Sequence, residues 1–361
     1  MKIAFHFPKL SSGGVEKMRI ILAREFLSRG IDVDFVLCKA QGEYLNQVPD
    51  KVNIVDFKVN HTRNSLFPLV EYLKKHQPDY LISSLGPQNV TAIIACKLAK
   101  TKTKVFVTQH NALSQQGKQK ATIQQRLIPL CYKLVLPYAD GVISVSKGIA
   151  EDIAKNVGYP LSRIHVIYNP AYAERTDLST HNEIDDLLKN KKYIISIGRL
   201  VHQKAFDDLI TAFKQVYIHN PEMNLVILGN GPLDAELKLQ VKKLGLENVV
   251  HFLGFVNNPK DYLAKASLFA LASRYEGFGN VIVEALSEGI PVVSTNCEYG
   301  PDEILEGGKY GALVPVGNVE ALANAILDSL NSQHNRKALI ERAKQFSPSA
   351  VAERYLTIIG C

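Results

Sequence analysis

The sequence predicts an α/β protein made of two parallel-sheet domains. Three observations carry this. Short apolar runs alternate with stretches of helical periodicity along most of the chain, the pattern of βαβ units. The alternation breaks after residue 168 and restarts at 193, dividing 361 residues into two parts of ordinary domain size. Hydrophobic residues make up 46%, enough for two cores, and no apolar run reaches the roughly 18 residues of a membrane span. The expected division is a first domain at 1–168, a second at 169–346 and a closing helix in 347–361.

Residues 2–7 read as the first strand. Val15, Met18, Leu22 and Phe26 then recur at helix spacing, and Gly30 ends that helix. Further strands are expected at 32–37, 53–56, 80–83, 104–109 and 141–145, with a short one at 165–167 before Asn169-Pro170. Residues 171–192 are polar and read as a linker plus a short helix. The strand pattern resumes at 193–197, 224–228, 249–252, 268–271, 291–294 and 311–314. Near the end, Ser347 suits an N-cap and Pro348 the first helical position. Val351, Tyr355, Ile358 and Ile359 form one apolar stripe there, which needs a surface to cover it, and the first domain is the candidate.

Composition narrows the function classes. The start, MKIAFHFPKLSSGG, does not read as a signal peptide, because its apolar part is short and no small-residue cleavage site follows. Cys38, Cys96, Cys131, Cys297 and Cys361 are scattered with no C-x-x-C, so neither a zinc site nor a disulfide framework is expected, and the reading is a reduced, cytoplasmic protein. Residues 1–165 hold 23 Lys+Arg against 12 Asp+Glu, a net +11, while the remainder has 19 against 23, a net −4. No acid lies between Asp79 and Asp140, a window with eight bases. Such a field suits an anionic partner, such as a membrane surface, unless it is only a solvated basic face. Nucleic acid is not expected as a partner.

In open α/β sheets ligands bind beyond the carboxyl ends of the strands. Two such domains facing each other would form a cleft, and the candidate motifs all fall at strand ends. Gly13-Gly14 opens the first helix, where bare amides suit a phosphate, or else merely turns the chain. His110 closes the polar run Thr108-Gln109-His110-Asn111 after the 104–109 strand; a structural histidine is the plainer alternative. Gly198-Arg199 ends the 193–197 strand and Lys204 follows, two cations able to neutralise a diphosphate or simply to face solvent. Asp32-Val33-Asp34 opens a strand at its amino end, away from any such cleft, so no metal is expected.

The most informative stretch is SRYEGFGNVIVEAL, with Glu276 and Glu284 eight positions apart. Glu276 falls in the loop after the 268–271 strand. Glu284 falls about one turn into a helix whose neighbours are apolar, which reads as a buried helix. A buried carboxylate needs hydrogen-bond donors, and sugar or ribose hydroxyls supply them. Pairing of Glu284 with the helix dipole is the simpler alternative. Between the two glutamates, the amides of Gly277, Phe278, Gly279 and Asn280 at a helix N-terminus suit phosphate. Hydroxyls, then a diphosphate, then more hydroxyls describe a nucleotide sugar.

These residues resemble a known pattern. Glu276 to Glu284 is similar to the E-x7-E motif of the retaining glycosyltransferases of family 4, which have the GT-B fold of two Rossmann-like domains facing across a cleft. The glycines at 13 and 14, His110, Ile197-Gly198-Arg199 with Lys204, Gly229-Asn230-Gly231-Pro232 and residues 285–293 follow in the family's order. The resemblance implies that Glu276 holds the donor sugar's 3-hydroxyl and Glu284 the ribose hydroxyls. It implies that Arg199 and Lys204 bind the diphosphate, that His110 lies near the sugar and the reacting centre, and that Gly14 approaches the diphosphate. Phe278, Gly279 and Asn280 would add backbone contacts. Ala205 stands where glycine is common, and Asn230 where aspartate is common. The implied activity is retaining, metal-independent and cofactor-free transfer of a hexose or N-acetylhexosamine. The donor would be a nucleotide sugar, UDP-linked, and the acceptor a glycan or lipid-linked hydroxyl in lipopolysaccharide, capsule or similar synthesis, with the nucleotide sugar on the second domain and the acceptor on the first. A nucleotide-sugar epimerase on the same fold and an inactive binding subunit are the alternatives. The epimerase would need an acid–base pair at the sugar ring, for which only His110 offers itself.

Overall fold

The structure is a computed structural model that describes residues 1–11, 13–116, 123–172, 188–189, 191–256 and 258–360, with backbone alone at 115, 116 and 123–126. Two compact units divide the chain: Met1–Pro170 with Pro348–Cys361, and Ala171–Ser347. The polar stretch at 171–192 falls mostly outside the described residues.

The first unit is a seven-stranded parallel sheet of β1 (Lys2–Phe7), β2 (Asp32–Leu37), β3 (Asn53–Asp56), β4 (Tyr80–Ser84), β5 (Lys104–Gln109), β6 (Gly141–Ser144) and β7 (Ile164–Val166), in the order β3-β2-β1-β4-β5-β6-β7. The second is a six-stranded parallel sheet of β8 (Lys192–Ile197), β9 (Met223–Leu228), β10 (Val250–Gly254), β11 (Leu268–Leu271), β12 (Val292–Thr295) and β13 (Ala312–Val314), in the order β10-β9-β8-β11-β12-β13. Central strands such as KIAFHF and MNLVIL are buried along nearly their full length, as a sheet covered by helices on both faces requires. Both units are therefore Rossmann-like.

The helix Gly14–Ser28 buries Met18, Leu22 and Phe26, as their spacing predicts, and also Arg19. The closing helix Pro348–Ile359 packs on the first unit. Val351, Ala352, Tyr355 and Ile359 join Ile3, Phe5 and Phe26 in one core, the Phe26 and Tyr355 rings meet edge-on at 6.4 Å, and Tyr80 donates to the Ile359 carbonyl at 2.8 Å. The helix Ile123–Val135 turns Ile128 and Tyr132 inward. Leu127, Leu130 and Leu134 lie on its other side, 48%, 58% and 65% exposed. Of the eight bases in the acid-free window between Asp79 and Asp140, Lys133 lies on this helix and is exposed. Lys118 and Lys120 lie outside the described residues, as do the side chains of Arg126 and Ile123.

His6 on β1 is fully buried, and its Nδ1 donates to the Val36 carbonyl at 2.9 Å. Burial pushes its pKa down from 6.5 to about 4, against the smaller opposing effect of that hydrogen bond. A base that is harder to protonate in the folded state stabilises the fold above its ordinary pKa and loses that contribution as pH falls towards the lowered value. Stability should therefore drop by about 3 kcal/mol on acidification through this window. Urea unfolding of the wild type and of His6→Gln at matched pH values checks this: the variant should lose less stability on acidification, and equal losses would show that His6 is not the source.

Candidate active site

Strand order reverses between β8 and β11, so the crossovers that follow these neighbours leave on opposite faces and open a crevice at their carboxyl ends. Lys204 lies in the turn His202–Lys204 after β8, and Glu276 in the segment after β11. The Lys204 ammonium stands 2.6 Å from Glu276 Oε1, with the side chains 17% and 7% exposed. The Ser273 hydroxyl donates to the same oxygen at 2.6 Å, and the Thr295 hydroxyl holds the Ser273 carbonyl at 2.6 Å. The buried carboxylate thus has a cation and a hydroxyl as donors.

Arg274 fastens the two segments together. Its amide donates to the Gln203 carbonyl at 2.8 Å, its guanidinium to the His202 carbonyl at 2.7 Å, and Gln203 returns a bond to the Tyr275 carbonyl at 2.9 Å. The guanidinium also spans both oxygens of Asp207, at 3.1 and 2.8 Å, and reaches Asp208 at 3.1 Å. Burial raises the Asp207 pKa, but the Arg274 hydrogen bond and charge outweigh it, and the net shift is downward. Neither Arg274 nor Ser273 was singled out from the sequence. Their only signal there is adjacency to Glu276.

The glycines here mark close backbone approach. A Cβ on Gly229 would lie 2.0 Å from the Gly198 carbonyl oxygen, and one on Gly231 2.3 Å from that of Leu200. A Cβ on Gly198 would press on the Lys204 methylenes at 3.2–3.3 Å, so bare backbone there leaves room for the lysine stem. Ala205, where the resemblance leads one to expect glycine, has φ +50°, the left-handed region that glycine adopts more easily. Arg199 and Asn230 are exposed.

The helix Asn280–Ser287 starts from Gly279 at φ +98°, with no side-chain cap on its first-turn amides. Phe278 is buried edge-on against Phe346 at 5.5 Å. Gly277 is half-buried. The expectation of a helix buried all round is corrected here. Ile282, Val283, Ala285 and Leu286 are buried, but Asn280, Val281 and Glu284 are only half-buried. Positions 280 and 284 share a face at i, i+4, and that face is not covered by the core. Glu284 is therefore not a fully buried carboxylate.

In the first unit, Gly13 and Gly14 begin the helix after β1, again without a side-chain cap. The Glu16 carboxylate folds back so closely that a Cβ on Gly13 would meet it at 2.2 Å. His110 follows β5 and is buried. Burial first, and then the Arg19 charge, hold its pKa well below the ordinary value. Arg19 reaches the hydroxyls of Ser84 and Tyr355 and the ring of His110. It escaped the sequence reading although it falls on the apolar face, four residues after Val15 and three before Leu22.

Asp34 accepts from Tyr72 at 2.5 Å and stands 3.7 Å from the Lys2 ammonium. Among the described residues no three His, Cys, Asp or Glu side chains gather as a metal site would require.

Two family descriptions cover this chain in succession. Residues 12–175 match Glycosyltransferase Family 4, and residues 179–346 match Glycosyl transferases group 1. The chain belongs to glycosyltransferase family 4. This glycosyltransferase is 29% identical over 360 residues, 95% of its length and 94% of the relative's, to the N-acetylgalactosamine-N,N'-diacetylbacillosaminyl-diphospho-undecaprenol 4-alpha-N-acetylgalactosaminyltransferase of Campylobacter jejuni. It is 25% identical, over 97% of both chains, to the amylovoran biosynthesis glycosyltransferase of Erwinia amylovora. Its fold matches Anabaena HepE in complex with UDP-glucose at a TM-score of 0.80 and 24% identity, covering 99% of this chain and 98% of that one. The shared architecture is GT-B.

Arg274→Ala should loosen the clamp that presses Lys204 onto Glu276. Loss of the carboxylate pairing and the carbonyl bond should cost about 2 kcal/mol. Urea unfolding measures it, and a change within error would mean that the Arg274 contacts do not hold the site.

Proposed function

We propose that this glycosyltransferase moves a hexose or N-acetylhexosamine from a UDP-linked donor to a hydroxyl of a lipid-linked or glycan acceptor in surface-glycan assembly, with retention of anomeric configuration. The second unit takes the nucleotide sugar and the first the acceptor. The observation that carries this reading is the sheltered Lys204–Glu276 pair at the β8/β11 reversal. Each partner satisfies the other in the free chain, and each suits a different part of a nucleotide sugar. Glu276 would take the sugar's 3-hydroxyl, while Lys204 with Arg199 would take the diphosphate. Glu284 would hold the ribose hydroxyls, and the amides of Phe278, Gly279 and Asn280, with Gly14, would approach sugar and phosphate. The Campylobacter relative's name, with its diphospho-undecaprenol substrate, and the Erwinia relative's role in amylovoran synthesis support the acceptor class. The UDP-glucose in the Anabaena structure supports the donor class.

In this mechanism the anomeric C–O bond breaks first, and negative charge grows on the leaving diphosphate. Arg199, Lys204 and the first-turn amides of the helix Asn280–Ser287 stabilise that charge, and the amides, fixed by the backbone, need little reorganisation. The acceptor oxygen bonds to the anomeric carbon from the same face. Its proton passes to the departing phosphate oxygen. No step requires a metal or another cofactor.

Release of UDP or GDP from a panel of UDP- and GDP-sugars, with EDTA present, is the deciding assay. Glu276→Ala should lower kcat/KM by about 10- to 150-fold, the worth of a charge-assisted hydrogen bond of about 1.5–3 kcal/mol. Near-wild-type turnover in that variant would remove Glu276 from the site, and loss of activity on chelation would restore a metal to the mechanism.

The enzyme would work at the cytoplasmic face of an anionic membrane. Leu127, Leu130 and Leu134 form an exposed stripe at helix spacing, with exposed Lys133 beside them. Nearby in the chain, Lys97 lies over the exposed Tyr138 ring at 4.7 Å. An amphipathic helix of this kind can lie in the interface plane. In flotation assays the protein should rise with anionic vesicles at low salt and less so at high salt. Replacing the three leucines by serine should abolish this, and indifference of the wild type to anionic vesicles would favour a soluble acceptor.

A further inference from the structure

The first unit holds a guanidinium where water does not reach. Arg19 is 1% exposed. Its Nε and Nη2 donate to the Ser84 hydroxyl at 2.9 and 2.7 Å, and its Nη1 to the Tyr355 hydroxyl at 3.3 Å. The Phe5 and Tyr355 rings lie 5.1 and 5.9 Å from its central carbon. None of these partners is a carboxylate. A buried charge with neutral partners alone is costly, so its place calls for a reason beyond packing.

The remaining contact supplies one. Nη2 faces His110 Nε2 at 3.5 Å. A guanidinium can only donate, so the imidazole nitrogen that faces it must present a lone pair. The ring proton then sits on Nδ1, and that atom is buried with no hydrogen-bond partner among the described residues. A buried N–H without an acceptor is itself unfavourable, and a ligand oxygen placed against it would relieve the cost. The surroundings keep the arrangement fixed. Ser84 ends β4, and the next residue, Leu85, is held at φ +77°, a strained turn of the kind found near functional sites. Tyr355 comes from the closing helix, so the last turns of the chain help to hold this cluster.

We propose that Arg19, aimed by Ser84 and Tyr355, is a positioning residue that holds His110 as the neutral tautomer with its proton on Nδ1, ready to donate to a substrate oxygen. The placement of His110 beside the donor sugar rests on the proposed transferase reading; the Arg19–His110 relation does not. In this arrangement His110 is a hydrogen-bond donor and takes no proton from the acceptor. Among the described residues, the ionisable groups on the elements packed around it include Arg19, Tyr355, Tyr132, which bonds to the neighbouring Gln109, and Asp152, which bonds to the Leu113 and Ser114 amides.

The test is long-range 1H–15N correlation NMR on unliganded full-length protein labelled at histidine, with His110 assigned by loss of its signals in His110→Asn. Wild-type His110 should stay neutral with hydrogen on Nδ1 from about pH 5 to 8. In Arg19→Met the proton should spread over both nitrogens of a ring that burial still keeps neutral, while Arg19→Lys, which still only donates, should restore the Nδ1 form. Turnover of Arg19→Met should fall about 10- to 100-fold in kcat. Its donor KM should stay within about twofold, as expected when a reaction-specific contact is lost. An unchanged His110 spectrum in Arg19→Met would make Arg19 a packing residue and overturn the proposal. If that variant does not fold, Ser84→Ala keeps the test open, because it removes the acceptor that aims the guanidinium; an unperturbed His110 there overturns the proposal equally. The spectra need no substrate. If they shift as expected but no nucleotide sugar is turned over, the transferase reading fails and the Arg19–His110 relation stands.

Discussion

Parallel strands whose order reverses leave a gap that their own crossovers cannot fill, and the candidate chemistry of this chain gathers at two such reversals. Between β1 and β4 the gap is lined by the start of the first helix and by Ser84. Between β8 and β11 it is lined by the 202–204 turn and the 273–276 segment. The sheet determines which loops are neighbours, and residues 72 positions apart in the chain, Lys204 and Glu276, come within 2.6 Å for that reason. The glycines at 198, 229 and 231 serve the same end, because loops leaving adjacent strands can approach this closely only where backbone meets backbone.

The two units handle sheltered charge in different ways. In the second, Lys204 has a carboxylate partner, and the pair keeps a rim open to solvent. In the first, Arg19 is sealed and has hydroxyls, an imidazole and aromatic faces instead. An ion pair can exchange partners when a ligand with both a hydroxyl and a phosphate arrives, since each half finds a new counterpart. A guanidinium held by neutral groups has no such exchange open to it. Its field is constant, and what it fixes is the protonation of its neighbour. The pair thus suits a place where ligands come and go, and the sealed cation suits a scaffold.

The strands were legible because a parallel sheet buries both faces, which turns each strand into an apolar run that stands out from the helices around it. β1, β2, β3, β5 and β11 begin and end where those runs do. The remaining strands differ by one or two residues at one end or both: β4, β8 and β9 run one residue longer than the apolar run, β6 and β13 one shorter, and β7, β10 and β12 are displaced along the chain. The contacts of the site were not legible, because they are made between loops distant in sequence. Nothing near Lys204 announces Glu276, and nothing near Asp207 announces Arg274. Glu284 was misjudged because its neighbours' apolarity was read as burial on every side, whereas a helix of eight residues can bury one face and leave another half open. Arg19 was missed for the converse reason. Its position lay on the apolar face, but a charged residue type gives no sign of burial in a sequence, and it was not singled out.

The closing helix shows why position in the chain is a poor guide to what a segment does. Residues 348–359 follow the whole second unit, yet they complete the core of the first, against Phe5 and Phe26. Burying Val351, Tyr355 and Ile359 explains why the helix docks there. It does not explain the Tyr355 hydroxyl, since a phenylalanine would fill the same core. That hydroxyl finds its partner in Arg19, a charged side chain only 1% exposed. The docking of the helix and the aim of the guanidinium are thus a single event. The cluster around His110 is complete only when the last turns of the chain have folded onto the first strand and helix.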